Sequence, residues 1–120
     1  MKAPIAKNLE LVQSTTKIYE VQFKKDGTNL DITGWTIFFT AKDKMTDTDG
    51  EAVIKKTITV HTDAVNGKTT IELTASDTNV NPKSYVFDIK YKDDCSPANI
   101  GVIIQGKLTV TRIVTQRESA

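Results

Sequence analysis

Apolar residues recur along this chain mainly at every second position, and the spacing typical of a helix is nearly absent. β-Branched residues, threonine above all, are frequent from one end to the other. Both features are typical of strands that lie half-buried on a sheet, with one face toward the core and the other toward water. The pattern predicts an all-β protein.

Three segments alternate most clearly. Their residues on the predicted buried face are Tyr19, Val21 and Phe23; Trp35, Ile37, Phe39 and Ala41; and Tyr85, Phe87, Ile89 and Tyr91. With the weaker segments between them, the chain has about seven strands, about ten residues apart and separated by turn residues, which is typical of an antiparallel sandwich. A closed barrel is the alternative.

Shorter patterns predict the connections between strands. The dipeptide Asn66-Gly67 readily adopts the positive φ angles of tight turns, so it predicts a hairpin between a strand that ends near Val60 and a strand at 69–73. Residues 74–78 include capping residues and predict one helical turn that crosses between sheets. Gly106 predicts a bulge or bend near the end of the chain.

Two weaker strands have apolar faces of a single parity. Ile54, Ile58 and Val60 form one of these faces, although Lys56 interrupts it. The other face is made of Leu108, Val110 and Val114. We expect these apolar residues to face the core.

The 120 residues match the usual size of one domain. Residues 17–114 carry the strand pattern and are predicted to form the sandwich. Residues 1–16, in which Leu9, Leu11 and Val12 are apolar, are predicted to form an N-terminal arm or an edge strand. Residues 115–120 are predicted to form a C-terminal tail.

Composition excludes several classes of protein. With 16 basic and 15 acidic residues, the chain is a poor generic binder of nucleic acid, and we expect no such partner. Its apolar runs are far shorter than the roughly 20 residues of a membrane-spanning helix, and no hydrophobic stretch follows Met1. We therefore expect neither a membrane partner nor export. Cys95 is the only cysteine, so an internal disulfide is excluded.

Few residues qualify as catalytic candidates. His61 is the only histidine, and its position after a strand favours a solvated turn histidine over a base held by a third group. Cys95 lies in a polar loop, which favours an ordinary thiol over a reactive one. The six glycines are scattered singly, so no phosphate-binding loop is present. We expect no enzymatic activity and no cofactor.

The loop at residues 43–50 carries Asp43, Asp47 and Asp49, whose spacing superficially matches a calcium loop. The full pattern needs an oxygen ligand where Met45 stands and a glutamate where Lys56 stands. We therefore expect an exposed loop without a metal ion.

Phe38 has the opposite parity to Trp35 and Phe39 on the same predicted strand. It would face outward unless both faces of that strand are covered, so it is either an interface residue or a core residue. The candidate interface residues are Phe38, Asp43, Asp47 and Asp49.

Four segments carry a resemblance to a known family. They are residues 31–44 (DITGWTIFFTAKDK), 66–71 (NGKTTI), 73–78 (LTASDT) and 85–90 (YVFDIK). In order and spacing they resemble the immunoglobulin-like domain at the N-terminus of phage baseplate upper proteins, which related small phage virion proteins share. The resemblance extends over residues 17–114. It implies an immunoglobulin-like β-sandwich of about seven antiparallel strands and carries no catalytic residues.

The resemblance also implies a virion building block that is held by protein contacts and present in many copies. Baseplate upper proteins continue into helical and receptor-binder-docking regions, whereas this sequence ends soon after Val114. We therefore expect a tail or baseplate adaptor or a head decoration protein, assembled into the virion in the host cytoplasm. Its partners would be other phage structural proteins or further copies of itself. The alternative is a carbohydrate-binding or adhesive sandwich module.

Overall fold

A computed structural model describes residues 5–114. The predicted tail at 115–120 and residues 1–4 of the predicted arm lie outside the described residues. No helix in the described range is long and apolar enough to cross a membrane. The strands, in chain order, are β1 Ile5–Ala6, β2 Leu9–Val12, β3 Lys17–Gln22, β4 Lys24–Lys25, β5 Thr28–Asn29, β6 Thr36–Lys42, β7 Ile54–Ile58, β8 Lys68–Leu73, β9 Ser84–Lys92 and β10 Ile100–Thr111.

The strands build two facing sheets. In the large sheet β7, β6, β9 and β10 pair antiparallel in that order, and β1 and then β2 pair parallel with the outer edge of β10. The small sheet consists of β3 and β8, and β4 and β5 form a separate small hairpin. This is the arrangement of the C′, C, F and G strands of an immunoglobulin domain opposite its B and E strands. The predicted immunoglobulin-like β-sandwich is confirmed. A closed barrel is not formed, since no strand pairing within residues 5–114 joins the two sheets.

A tyrosine at the start of β9 makes a contact characteristic of this fold. The hydroxyl of Tyr85 donates a hydrogen bond to the carbonyl oxygen of Asn81 at 2.6 Å, as the corner tyrosine of immunoglobulin domains does. Two residues later, where antibody domains hold a disulfide cysteine, this chain has Phe87, which stacks on Phe39 with ring centroids 5.7 Å apart. Phe39 lies on β6, the neighbour of β9 in the same sheet, so an aromatic pair within the large sheet stands at this position.

Side chains from both sheets form one apolar core. The alternation predicted for the three clearest segments is confirmed, although Tyr19 and Trp35 are only partly buried. Each large side chain that is removed from water contributes about 1.5–3 kcal/mol to stability. The apolar side chains with no exposed surface are Ile32, Ile37, Phe39, Ala41, Ile71, Leu73 and Leu108.

The predicted hairpin around Asn66-Gly67 is wrong. β7 pairs with β6 in the large sheet and β8 pairs with β3 in the small one, so the chain between them crosses from sheet to sheet. Among the described residues, a single bridge between Asp63 and Lys68 pairs the chain across this turn. Gly67 does have a positive φ, 76°, but there it ends a short 3₁₀ turn at Ala64–Asn66.

The predictions that Val60 and Val114 face the core are also wrong. Their side chains are 84% and 96% exposed. β7 ends at Ile58 and β10 ends at Thr111, so neither valine belongs to a strand. Parity along a strand predicts burial only as far as the strand extends.

Gly106 has a different role from the predicted bulge. The register shift in β10 lies between Val102 and Ile104. At Gly106 the chain that links β1 to β2 passes so closely that a Cβ atom would overlap the carbonyl oxygen of Lys7. The amide of Lys7 donates to the carbonyl oxygen of Gln105 at 3.0 Å. A glycine is needed here because two backbones touch.

We predict that Gly106→Ala destabilises the protein by about 1–3 kcal/mol, because the added methyl group must displace the backbone at Lys7. Urea unfolding measures the loss, and trypsin should cleave after Lys7 faster than in the wild type. Gly50→Ala is the matched control, since its Cβ would meet no atom closer than the Thr48 hydroxyl at 3.8 Å. Equal stability of the two variants would contradict the prediction.

Candidate protein-binding surface

The outer face of the large sheet presents the residues that alternate with the core. Their immediate neighbours along the strands, such as Ile37, Phe39 and Ile89, are buried, so these side chains point away from the core. Strands lie about 4.8 Å apart, so the four antiparallel strands span about 14 Å. The pairing registers place the outward side chains in three rows: Thr57, Phe38, Lys90 and Val102; Lys55, Thr40, Asp88 and Gln105; and Lys42, Val86 and Lys107.

Phe38 lies between Thr57 and Lys90 on this face and is half-buried. The Lys90 ammonium lies 5.8 Å from the centroid of its ring, which is the geometry of a cation–π contact. An open groove of about 750 Å³ extends over the rows and is also lined by Met45 from the connection between β6 and β7. The side chain of Met45 is 77% exposed. Of the two alternatives for Phe38, the structure shows the outward orientation.

The acidic loop does not gather its carboxylates. No three His, Cys, Asp or Glu side chains in the described part of the chain lie close enough together to hold a metal ion. The loop aspartates act instead as acceptors that fix the local structure. Asp43 accepts from the Lys83 ammonium, Asp47 from the backbone N–H of Lys44 at 3.0 Å, and Asp49 pairs with the Lys42 ammonium at 2.8 Å.

Two of the four candidate interface residues line the groove. Phe38 forms part of its floor and Asp49 part of its rim, whereas Asp43 and Asp47 do not line it. The hydrogen bond from Lys42 lowers the pKa of Asp49, so this carboxylate stays charged beside its lysine. Whether the four residues contact a partner stays a prediction.

Other groove residues were not among the candidates. Asp88 and Val86 lie on β9 and are half-buried. Burial raises the pKa of Asp88 and the charge of Asp49 adds to this, while Lys42 and Lys90 oppose it. The sequence could have indicated these positions, because the polar residues that alternate with the core along β9 include Asp88 and Lys90 and so lie on its water-facing side.

The lysines of the groove differ in their partners. Lys42 pairs with Asp49, but Lys55, Lys90 and Lys107 are exposed and form no ion pair with the described residues. Four lysines and two aspartates line the groove, which gives it a net charge of +2. Lysines therefore lie in all three rows, while the apolar Phe38 and Val86 lie in the two outer rows with Thr40 and Asp88 between them.

His61 is a structural link between the sheets, rather than a solvated turn residue. Its Nε2 lies 2.7 Å from the carbonyl oxygen of Trp35, and its Nδ1 lies 2.9 Å from the hydroxyl of Thr69. A carbonyl oxygen can only accept, so Nε2 carries the proton, and in the neutral ring Nδ1 accepts from the Thr69 hydroxyl. Trp35 precedes β6 and Thr69 is completely buried on β8. Both ring nitrogens are occupied by these contacts.

Cys95 lies in the loop between β9 and β10 and is exposed. The negative charge of Asp93 raises the pKa of the Cys95 thiol, and Asp94 adds to the effect. A thiol with a raised pKa is mostly protonated near neutral pH and is a poor nucleophile. This environment matches the ordinary loop thiol that the sequence favoured.

Lys56 interrupts the apolar face of β7 because it pairs across the open side of the sandwich. Its ammonium lies 2.7 Å from the carboxylate of Asp77, in the turn after β8. Asp77 also accepts hydrogen bonds from the amide and the hydroxyl of Thr74. A charged side chain that points inward from an edge strand disfavours pairing with another strand at that edge.

Comparisons with known proteins give a likeness of fold alone. No protein-family model and no curated protein sequence matches the chain. The N-terminal domain of phage TP901-1 ORF48 superimposes with a TM-score of 0.56 at 12% sequence identity, over 88% of this chain and 85% of that one.

Two looser superpositions involve voltage-gated sodium channel β subunits. The extracellular domain of the β4 subunit, described as a parallel homodimer with a role in cell–cell adhesion, has a TM-score of 0.44 at 11% identity, over 95% of this chain and 98% of that one. A β-subunit structure studied for multimeric cell-adhesive interactions has a TM-score of 0.42 at 8% identity, over 92% and 93% of the two chains.

We predict that His61→Ala destabilises the protein by about 1–3 kcal/mol, because it leaves the Trp35 carbonyl and the buried Thr69 hydroxyl without their partner. A double-mutant cycle with Thr69→Val, measured by urea unfolding, tests the contact. The loss of stability in the double variant should be smaller than the sum of the two single losses, by about 0.5 kcal/mol or more. Thr62→Val, at an exposed neighbouring hydroxyl, should change stability by at most about 0.5 kcal/mol. Strict additivity would contradict the proposed link.

The pair of Lys56 and Asp77 predicts a loss of stability in acid. Burial raises the pKa of Asp77, but the hydrogen bonds from Lys56 and Thr74 outweigh it and hold this pKa below its ordinary value of 3.8. A carboxyl group with a lowered pKa stabilises the fold above its unfolded-state pKa and loses this contribution as the pH falls through its folded-state pKa. The contribution is therefore present above about pH 4 and is lost below it.

Asp77→Asn should accordingly lower the free energy of unfolding by up to about 1 kcal/mol at pH 7. Its stability should also decline less steeply than that of the wild type between about pH 5 and pH 3, which is roughly one unit on either side of the ordinary pKa. Chemical unfolding across this range measures both effects. Glu72→Gln, at an exposed residue without an ion pair among the described residues, should keep the wild-type profile. An unchanged slope in Asp77→Asn would contradict the assignment.

Proposed function

We propose that this chain is a non-enzymatic structural protein of a bacteriophage particle that acts through protein–protein contacts. The observation that carries the proposal is the superposition of 88% of the chain on the N-terminal domain of a phage protein. The order and spacing of the four segments between residues 31 and 90 support it independently, since they resemble a domain of phage baseplate upper proteins. One fold can serve many functions, so the residues of the site must also be compatible with the proposed role.

The candidate catalytic groups support a role without chemistry. A general base must be within hydrogen-bond reach of its substrate, but both ring nitrogens of His61 are held by Trp35 and Thr69. The thiol of Cys95 has a raised pKa beside Asp93. Neither group has the environment of an activated nucleophile or base.

The surface of the protein suits assembly. The outer face of the large sheet combines the half-buried Phe38, the exposed Met45 and several lysines in one groove. Aromatic and methionine side chains are enriched where proteins meet. We propose that this face and the loop at residues 43–50 contact other phage structural proteins, and that the protein is present in several copies.

The carbohydrate-binding alternative receives less support. A sugar usually stacks on an exposed aromatic ring or is held by a calcium ion. Phe38 is half-buried rather than exposed, and the loop aspartates each have a separate partner.

Mass spectrometry of purified particles tests the proposed function. In the phage that encodes this chain, we expect its peptides in density-purified virions at more than one copy per particle. Separate analysis of purified heads and tails would then distinguish a decoration protein from a tail or baseplate adaptor. A replication protein of the same phage serves as the control for carry-over from the lysate. If the chain is abundant in infected cells but missing from purified virions, the proposal is wrong.

A further inference from the structure

The groove on the outer face of the large sheet indicates the chemistry of its partner. We propose that it binds an acidic polypeptide segment of another protein, in which carboxylates flank an apolar side chain. This inference rests on the proposed function and specifies the kind of partner that the groove accepts.

The arrangement of charge supports this choice. In one row Val86 lies between Lys42 and Lys107, and in another Phe38 lies beside Lys90. Lys55, Lys90 and Lys107 form no ion pair with the described residues, so their charges are available to a ligand. Lys90 lies beside Phe38 and Lys107 beside Val86, and Lys55 lies in the row between them. Carboxylates that flank an apolar side chain would match these unpaired lysines, and complementary charge favours the correct partner.

The apolar side chains of the groove provide the second part of the contact. Phe38 and Val86 are half-buried on the floor of the groove, and Met45 is largely exposed at its side. A bound apolar side chain would cover these groups and remove them from water. Met45 is unbranched and flexible, so it can adapt to the side chain that it covers.

A second copy of this chain fits the groove less well. A two-fold contact would place the same patch on both sides of the interface, with lysines opposite lysines. The two aspartates of the groove cannot balance four lysines, and Asp49 is already paired with Lys42. Like charges across an interface weaken it.

A nucleic acid fits less well for a different reason. Asp88 lies in the middle row between Thr40 and Gln105, where it would face the phosphates of a bound strand. Nucleic-acid affinity depends on neutralising phosphates with lysine and arginine. A short peptide can avoid the carboxylate of Asp88, because its sequence can place an uncharged residue opposite it, whereas a nucleic acid carries a phosphate at every nucleotide.

Binding of designed peptides to the whole chain tests the inference. The probe is a fluorescent peptide of alternating glutamate and leucine, with lysine–leucine and glutamate–serine peptides as controls for charge and for the apolar side chain. We expect the glutamate–leucine peptide to bind most tightly and to shift the backbone NMR signals of β6, β9 and the neighbouring part of β10. Its affinity should fall as salt is added.

Charge variants locate the site. Lys55→Glu combined with Lys107→Glu should weaken binding by about tenfold or more. Lys24→Glu combined with Lys25→Glu is the matched control, because it makes the same change of charge at two exposed residues of β4 and should leave binding unchanged. If the reversal disturbs the fold, Lys55→Gln with Lys107→Gln should give a smaller loss in the same direction.

Several results would overturn the inference. These are no shifts at millimolar peptide, equal weakening by both charge reversals, tighter binding of a single-stranded oligonucleotide at the same groove, or dimerisation of the chain through this face in sedimentation experiments. Each leaves the proposed function standing if the protein is found in virions. Conversely, if the protein binds the peptide but is missing from virions, the inference about the groove stands and the proposed function is wrong.

Discussion

The antiparallel register between β6 and β9 is the constraint on which the rest of the structure depends. It sets Phe39 opposite Ile89 in the core and, one position away, Phe38 opposite Lys90 on the outer face. Because side chains alternate along a strand, a slip of one residue would move every core side chain into water and every surface side chain inward. The packing of the core and the composition of the groove are therefore consequences of one pairing.

Buried polar contacts join the parts of the sandwich in the absence of a disulfide. The hydroxyl of Thr78 is completely buried, donates to the carbonyl oxygen of Thr15 at 2.6 Å and accepts from its amide at 3.0 Å. This contact holds the turn before β3 against the turn after β8. Thr69 makes a similar link through His61. Such contacts add specificity to apolar packing, because a buried polar group without a partner is costly.

Carboxylates and lysines have different roles on this surface. Several aspartates organise turns, as Asp93 does by accepting hydrogen bonds from the amides of Cys95 and Asn99. The hydrogen bonds from Asn99 lower the pKa of Asp93, so it stays charged. Local contacts occupy these acidic groups, whereas the groove lysines project from regular strands. A chain with a formal net charge of only +1 can thus present a positive surface.

The sequence by itself determined the all-β class and the inward parity of strands such as β9, because alternation is a property of each strand alone. The sequence left Phe38 open between an interface and a core position, and the structure places it on the outer face. Only the tertiary structure decided which sheet receives β8, why Val60 is exposed and which lysines surround Phe38. These features depend on pairing between strands far apart in the chain. Turn residues such as Gly67 specify a backbone angle, but the sheet in which the next strand pairs is selected by long-range packing.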